Sequence, residues 1–127
     1  MSKKILVIED DPSTLRFIEY TLQQAGFEVL LAKNGLDGLR MAQTQHPDLI
    51  ILDIMLPGLD GYEVCRRLRQ KPATANILVL MLSAKARQED KDTGMKMGAD
   101  DYLSKPVDPS EIIKRVQSML TGTGKVL

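Results

Sequence analysis

Three acidic residues in this 127-residue chain sit where chemistry would need them. Ile5-Leu6-Val7-Ile8 runs into Glu9 and Asp10, and Leu49-Ile50-Ile51-Leu52 runs into Asp53. A charged carboxylate at the end of an apolar run costs free energy unless something balances it. Several carboxylates brought together repel one another and shift toward protonation, and a divalent cation relieves that repulsion. Oxygen ligands without histidine or thiolate suit Mg²⁺, which takes one or two carboxylates, keeps waters and binds phosphate oxygens. Ser83 closes a further apolar run, Ile77 to Leu82, and Lys105 follows Tyr102-Leu103-Ser104. A hydroxyl and an ammonium facing the carboxylates would hold the remaining oxygens of a phosphoryl group. The residue types describe a metal-assisted phosphoryl site with Asp53 as its nucleophile.

The elements between these residues decide whether they meet. Ile5 to Ile8 is a short apolar, β-branched run and predicts a buried strand. Asp11-Pro12 starts a helix, with Asp at the N-cap and Pro at the first helical position. Leu15, Ile18, Leu22 and Ala25 recur at helical spacing, and Gly26 stops it. Val29 to Ala32 reads as the second strand. Asn34 caps the next helix, whose inner face is predicted at Leu36, Leu39 and Ala42, and His46-Pro47 ends it. Leu49 to Asp53 is the third strand. Asp60-Gly61-Tyr62-Glu63 resembles a capping box before Val64, Cys65 and Leu68. Ile77 to Leu82 is the most apolar strand, which predicts a central place. A polar helix from Lys85 to Met97, with Ala86, Asp90, Thr93 and Met97 on one face, ends at Gly98. Tyr102-Leu103 forms a short fifth strand. Asp108-Pro109-Ser110-Glu111 caps a last helix carrying Ile112, Ile113, Val116, Met119 and Leu120.

Five strand-helix units in succession imply an α/β fold, a parallel five-stranded sheet covered by helices on both faces. Right-handed crossovers leave few topologies, and the flavodoxin-like (βα)5 sandwich with strand order 2-1-3-4-5 is the expected one. Ligands in such sheets bind at the carboxyl ends of the strands, at the switch point between strands 1 and 3. That rule brings Glu9, Asp10 and Asp53 together, with Ser83 and Lys105 arriving from the other side.

The blocks "ILVIEDDP", "PDLIILDIMLPGLDGYE", "VLMLSA" and "GADDYLSKP" stand in this order through nearly the whole chain. Together they resemble the receiver domain of two-component response regulators. The resemblance implies that Asp53 accepts a phosphoryl group from a sensor histidine kinase or a histidine phosphotransfer protein. It implies Mg²⁺ held by Asp10 and Asp53, by Glu9 mostly through water, and by the backbone carbonyl of Met55. Ser83 and Lys105 would bind the phosphoryl group, and Tyr102 would be the aromatic switch residue. The Lys105-Pro106 bond is cis in the family. The fourth helix, fifth strand and fifth helix would form the output surface. Asp100, Asp101, Glu111 and Arg115 there partly resemble a charged surface through which some receivers form homodimers. Lys85 and Met55 flank the expected site and could tune water access. The receiver would span residues 1–121, with 122–127 a polar tail or the start of a linker.

Bulk composition narrows the remaining classes. Lys plus Arg and Asp plus Glu number 17 each, which does not suggest nucleic acid or an anionic membrane as partner. No apolar run approaches the roughly 20 residues of a membrane span, and the N-terminus is not a secretory signal. The single cysteine, Cys65, fits a reducing cytoplasm and, on an apolar helix face, a place in the core. Asp11 reads as an N-cap, His46 as a turn residue, Met95 and Met97 as packing. A hydrolase of the haloacid dehalogenase type would resemble an Asp-x-Asp pattern, but Met55 occupies the second position. A phosphate-independent receiver-like interaction module is the alternative. Such variants usually lose an acidic residue or the lysine, and this chain has them all.

Overall fold

The computed structural model of the chain describes residues 2–84 and 87–122. Its elements alternate: β1 (Lys4–Ile8), α1 (Pro12–Gln24), β2 (Glu28–Ala32), α2 (Gly35–Gln45), β3 (Leu49–Asp53), α3 (Gly61–Gln70), β4 (Leu78–Ser83), α4 (Gln88–Lys96), β5 (Asp101–Ser104) and α5 (Pro109–Thr121). The strands pair in parallel in the order β2-β1-β3-β4-β5. This is the flavodoxin-like sheet expected from the sequence.

Alternation along the strands sends side chains to two cores. Ile5, Val7, Ile51, Leu80 and Leu82 pack with Leu15, Ile18 and Leu22 of α1 and with Ile112, Val116 and Met119 of α5. Leu6, Ile8, Ile50, Leu52, Val79 and Met81 pack on the opposite face with Ala42, Val64, Cys65 and Leu68. Both faces are covered, so the strands need no polar alternation. Every residue of β3 is buried.

The caps follow the sequence. Asp11 accepts from the Thr14 amide, Asn34 from Asp37, Asp60 from Glu63 and Asp108 from Ser110. Each satisfies a backbone donor that its helix leaves unpaired. The capping box at Asp60 is half complete. The Glu63 carboxylate does not return to the cap but pairs with Arg66 and Arg67, which pull it down to about 2.

Three expectations need correction. Leu36 does not face inward and is 57% exposed. The buried face of α2 is Gly35, Gly38 and Ala42. A Cβ at Gly35 would stand 2.7 Å from Val64 Cγ2, and one at Gly38 would collide with the Ile8 side chain. The helix approaches so closely on its small residues that the leucine one position on is turned outward. β4 lies between β3 and β5, so the middle strand is β3. Apolar content reports cover on both faces, which every interior strand has. The fourth helix is shorter than expected, Gln88–Lys96 with Arg87 at its N-cap. The expectations at Lys85 and Ala86, and for the tail at 123–127, lie outside the described residues.

Candidate functional site

The carboxyl ends of β1, β3, β4 and β5 meet at one edge of the sheet. Glu9 follows β1, and its amide donates to the Ala32 carbonyl at 3.1 Å. Asp53 is the last residue of β3, and the Ile54 amide donates to the Leu82 carbonyl at 3.2 Å. Glu9 and Asp53 are buried and Asp10 is exposed. One carboxylate oxygen from each of the three lies within 4.8 Å of the others. The sheet therefore brings together the three acids that the sequence separates.

The Lys105 ammonium answers two of them. Lys105 Nζ donates to Glu9 Oε1 at 2.8 Å and stands 3.4 Å from Asp53 Oδ2. Burial alone would pull the Lys105 ammonium down, but the bond to Glu9 and the charge of Asp53 outweigh it and hold it above its ordinary value. Lys105 is carried there by its own backbone, whose amide donates to the Ser83 carbonyl at 2.8 Å, and the Lys105-Pro106 bond is cis. Glu9 Oε2 accepts from the Asp11 amide at 3.0 Å. Asp53 Oδ1 accepts from the Met55 amide at 3.3 Å. The Met55 backbone is thus tied to the acid, while its side chain is exposed.

Ser83 closes β4 and is fully buried. Tyr102 comes in from β5 and is 8% exposed. Its side chain hydrogen-bonds that of Ser83 while burial raises its phenol above the ordinary range. Tyr102 is therefore turned inward in this structure. All seven sequence-predicted site residues are at this edge or bonded to a residue that is.

The donor set fits a hard divalent cation. Every donor atom in the acidic cluster is a carboxylate oxygen, the three acids outnumber the Lys105 ammonium, which among the described residues is the cation paired with them, and Asp10 opens to solvent. Mg²⁺ prefers such a site because it keeps part of its water shell.

Four residues mattered more than the sequence suggested. Gly61 starts α3 directly against the Asp53-Ile54 segment, its amide donating to the Ile54 carbonyl at 3.0 Å. A Cβ there would collide with the backbone carbonyl oxygen of Asp53. Tyr62, the next residue, donates its hydroxyl to the Asp90 carbonyl of α4 at 3.2 Å. Arg69 bonds the carbonyls of Ala75, Ile77 and Gly98 and the carboxylate of Asp100. Asp100 also accepts from the Val79 amide at 2.9 Å, so this acid serves the fold and not a solvated surface. Only the "DG" pair at 60–61 carried a signal, a turn before a helix. The others are tertiary contacts.

The family model described as the response regulator receiver domain matches residues 5–117. The chain belongs to that family. It is a receiver domain of the two-component response regulator kind. It is 47% identical over 94% of its length to the alkaline phosphatase synthesis transcriptional regulatory protein PhoP of Bacillus subtilis (strain 168), of which it covers 49%. The chain spans about half the length of the curated relatives it matches. Among solved structures it is similar to a Francisella response regulator receiver domain, with TM-score 0.89, 35% identity, and 96% and 99% of the two chains covered. It is also similar to the receiver domain of a sensor histidine kinase from Pseudomonas aeruginosa PAO1, with TM-score 0.86, 33% identity, and 96% and 99% covered. That structure has a magnesium ion coordinated in its active-site cleft.

Proposed function

We propose that Asp53 accepts a phosphoryl group from the phosphohistidine of a sensor histidine kinase or a histidine phosphotransfer protein. The observation that carries this is the meeting of Glu9, Asp10 and Asp53 within 4.8 Å beside Lys105. A carboxylate oxygen of Asp53 forms the new P–O bond as the P–N bond breaks, and the electron pair returns to the imidazole. A carboxylate nucleophile carries no proton to remove, so no general base is needed. Phosphoryl transfer asks mainly for positioning and charge neutralisation. Lys105 is within reach to neutralise one phosphoryl oxygen. Mg²⁺, held by Asp10, Asp53 and the Met55 carbonyl and through water by Glu9, would neutralise others and fix their orientation. Both oxygens of Glu9 are already engaged by Lys105 and Asp11, which favours its acting through water. Asp53 returns to its starting state when water hydrolyses the acyl phosphate, and no external substrate is turned over.

Ser83 links this chemistry to the output. Its hydroxyl has one proton. When Tyr102 donates to it, that proton is available to a phosphoryl oxygen, and the pair then joins the modified acid to β5. The added charge would bias the surface of α4, β5 and α5 between two arrangements. Asp101 and Arg115 face each other on that surface at 2.9 Å, and a homodimer could form by exchanging such pairs. On this reading the receiver occupies residues 1–121, and helix α5 ends at Thr121 with Gly122 in a left-handed cap. It works in the cytoplasm, where phosphohistidine donors are made, without itself binding nucleic acid.

Intact mass after incubation with Mg²⁺ and acetyl phosphate tests the proposal. The expected result is one phosphoryl adduct on the wild type, none on Asp53→Asn and none with chelator. No adduct in any condition would overturn it in favour of a phosphate-independent interaction module.

A further inference from the structure

The groove between α2 and α3 lies away from the acidic edge and has a volume of about 600 Å³. Leu36, Leu39, Arg40, Gln43, Arg66, Arg67, Gln70 and Lys71 line it, and no acidic residue does. In a chain with equal numbers of acids and bases, four cations without an acid make a local positive field. The nearest counter-charges do not cancel it. Arg66 and Arg67 share the single carboxylate of Glu63. Arg40 reaches Asp37 at 3.2 Å, with both side chains largely in solvent, and a pair so exposed yields easily to a competitor. Lys71 is exposed.

Two leucines give this mostly polar groove an apolar strip. Leu36 is one of few exposed large aliphatic side chains, turned out because α2 seats on its glycines, and Leu39 is half buried beside it. α2 and α3 cover the same face of the sheet, both packing into the core of Ala42, Val64, Cys65 and Leu68, and a groove between two such helices accepts the ridge of a third.

We propose that this groove docks an acidic amphipathic helix of a partner protein. Leucine or isoleucine at helical spacing would cover Leu36 and Leu39, and flanking Asp and Glu would meet Arg40, Arg66, Arg67 and Lys71. A nucleic acid fits less well. It has no apolar ridge for the exposed leucine, and the groove offers no aromatic face for base stacking. The surface is separate from that of α4, β5 and α5, so an occupant could stay bound while the output face changes.

The test is selection from a displayed library of helix-biased peptides, about 16 residues or some four turns long, against the folded receiver in about 0.15 M salt. Enriched sequences are expected to be acidic with an aliphatic i, i+3, i+4, i+7 stripe. The amide shifts they cause should map to Leu36, Leu39, Arg40, Gln43, Arg67 and Lys71. Leu36→Ser and Arg40→Glu should each weaken the selected peptide about tenfold or more while keeping the wild-type melting curve and the phosphoryl adduct. Enrichment without acidic bias, shifts on another face, unchanged affinity in both variants, or equal binding of an oligothymidylate would overturn the proposal.

Discussion

Lys105 Nζ stands 3.4 Å from Asp53 Oδ2 while donating to Glu9 Oε1 at 2.8 Å, so one ammonium answers two buried carboxylates from different strands. Removing it leaves both acids without their cation. Breaking a fully buried pair costs about 3–5 kcal/mol. The Lys105 side chain is 24% exposed, which reduces the expected loss for Lys105→Met to about 1–3 kcal/mol. Urea denaturation without divalent ions would show it, and added Mg²⁺ should recover part of it. The pH dependence has a definite sign. A lysine held above its ordinary 10.5 contributes fully below that value, and its contribution is lost as pH rises through the raised one. The gap between wild type and variant should therefore be constant through neutral pH and close as pH rises through the raised value.

Gly61→Ala should damage the site without touching a functional group. The new methyl would stand 2.7 Å from Ile54 Cα and 3.0 Å from the Asp53 carbonyl carbon. These are backbone atoms and cannot rotate away. The expected cost is about 1–3 kcal/mol, together with slower phosphorylation because the Asp53 peptide is displaced. Gly58→Ala is the comparison. Gly58 has φ +74° with open space around it, so the strain of about 1–2 kcal/mol falls on the turn alone. Equal phosphorylation rates in the two variants would contradict this account of Gly61.

Much of this was legible because the acids, the hydroxyl and the lysine each end an apolar run. In a parallel sheet, the end of a run fixes the end of a strand and therefore the place of the residue after it. The order of strands followed from the alternation of elements. Helix faces were less legible. Leu36 satisfies the helical period yet points outward, because glycines at 35 and 38 let α2 come too close for it. Period alone does not tell which of two adjacent stripes is used. Arg69, Tyr62 and Asp100 were not legible at all, since their partners lie 6 to 31 residues away and no local pattern announces them.

Cys65 should behave as a core residue. It is fully buried, and burial pushes its thiol up to about 11. The folded chain therefore keeps a proton that the unfolded chain loses from 9.0 upward. Stability from this group is complete below that value, falls as pH rises toward about 11, and then levels. Labelling by a thiol reagent near pH 8 should be slow and should track the urea transition. Fast labelling of the folded protein would show a more open α3 than the packing implies.

Helix α4 should open before α5. It buries only Asp90 and Gly94, whereas α5 buries Ile112, Val116 and Met119. Each fully buried aliphatic side chain stabilises its element by about 1.5–3 kcal/mol, and α4 has none. Its N-cap, Arg87, caps no backbone amide with its side chain, and its guanidinium only pairs with Glu89 and Asp90 of the first turn. Few tertiary contacts hold it: the Tyr62 hydroxyl on the Asp90 carbonyl, and the close seat of Gly94, where a Cβ would stand 2.8 Å from Met81 Sδ and 3.6 Å from Tyr102 Cδ2. Native-state amide exchange should therefore be faster at residues 88–96 than at 112–119. Tyr62→Phe, which removes one hydrogen bond worth about 1 kcal/mol, should speed exchange in α4 and leave α5 unchanged. Gly94→Ala separates propensity from packing. Alanine favours a helix interior by about 1 kcal/mol, so slower exchange would mean that Met81 gives way. The contact with buried Met81 predicts the reverse, faster exchange in α4 and a displaced Tyr102. Equal protection of the two helices in the wild type would overturn this reading of α4 as the less stable helix.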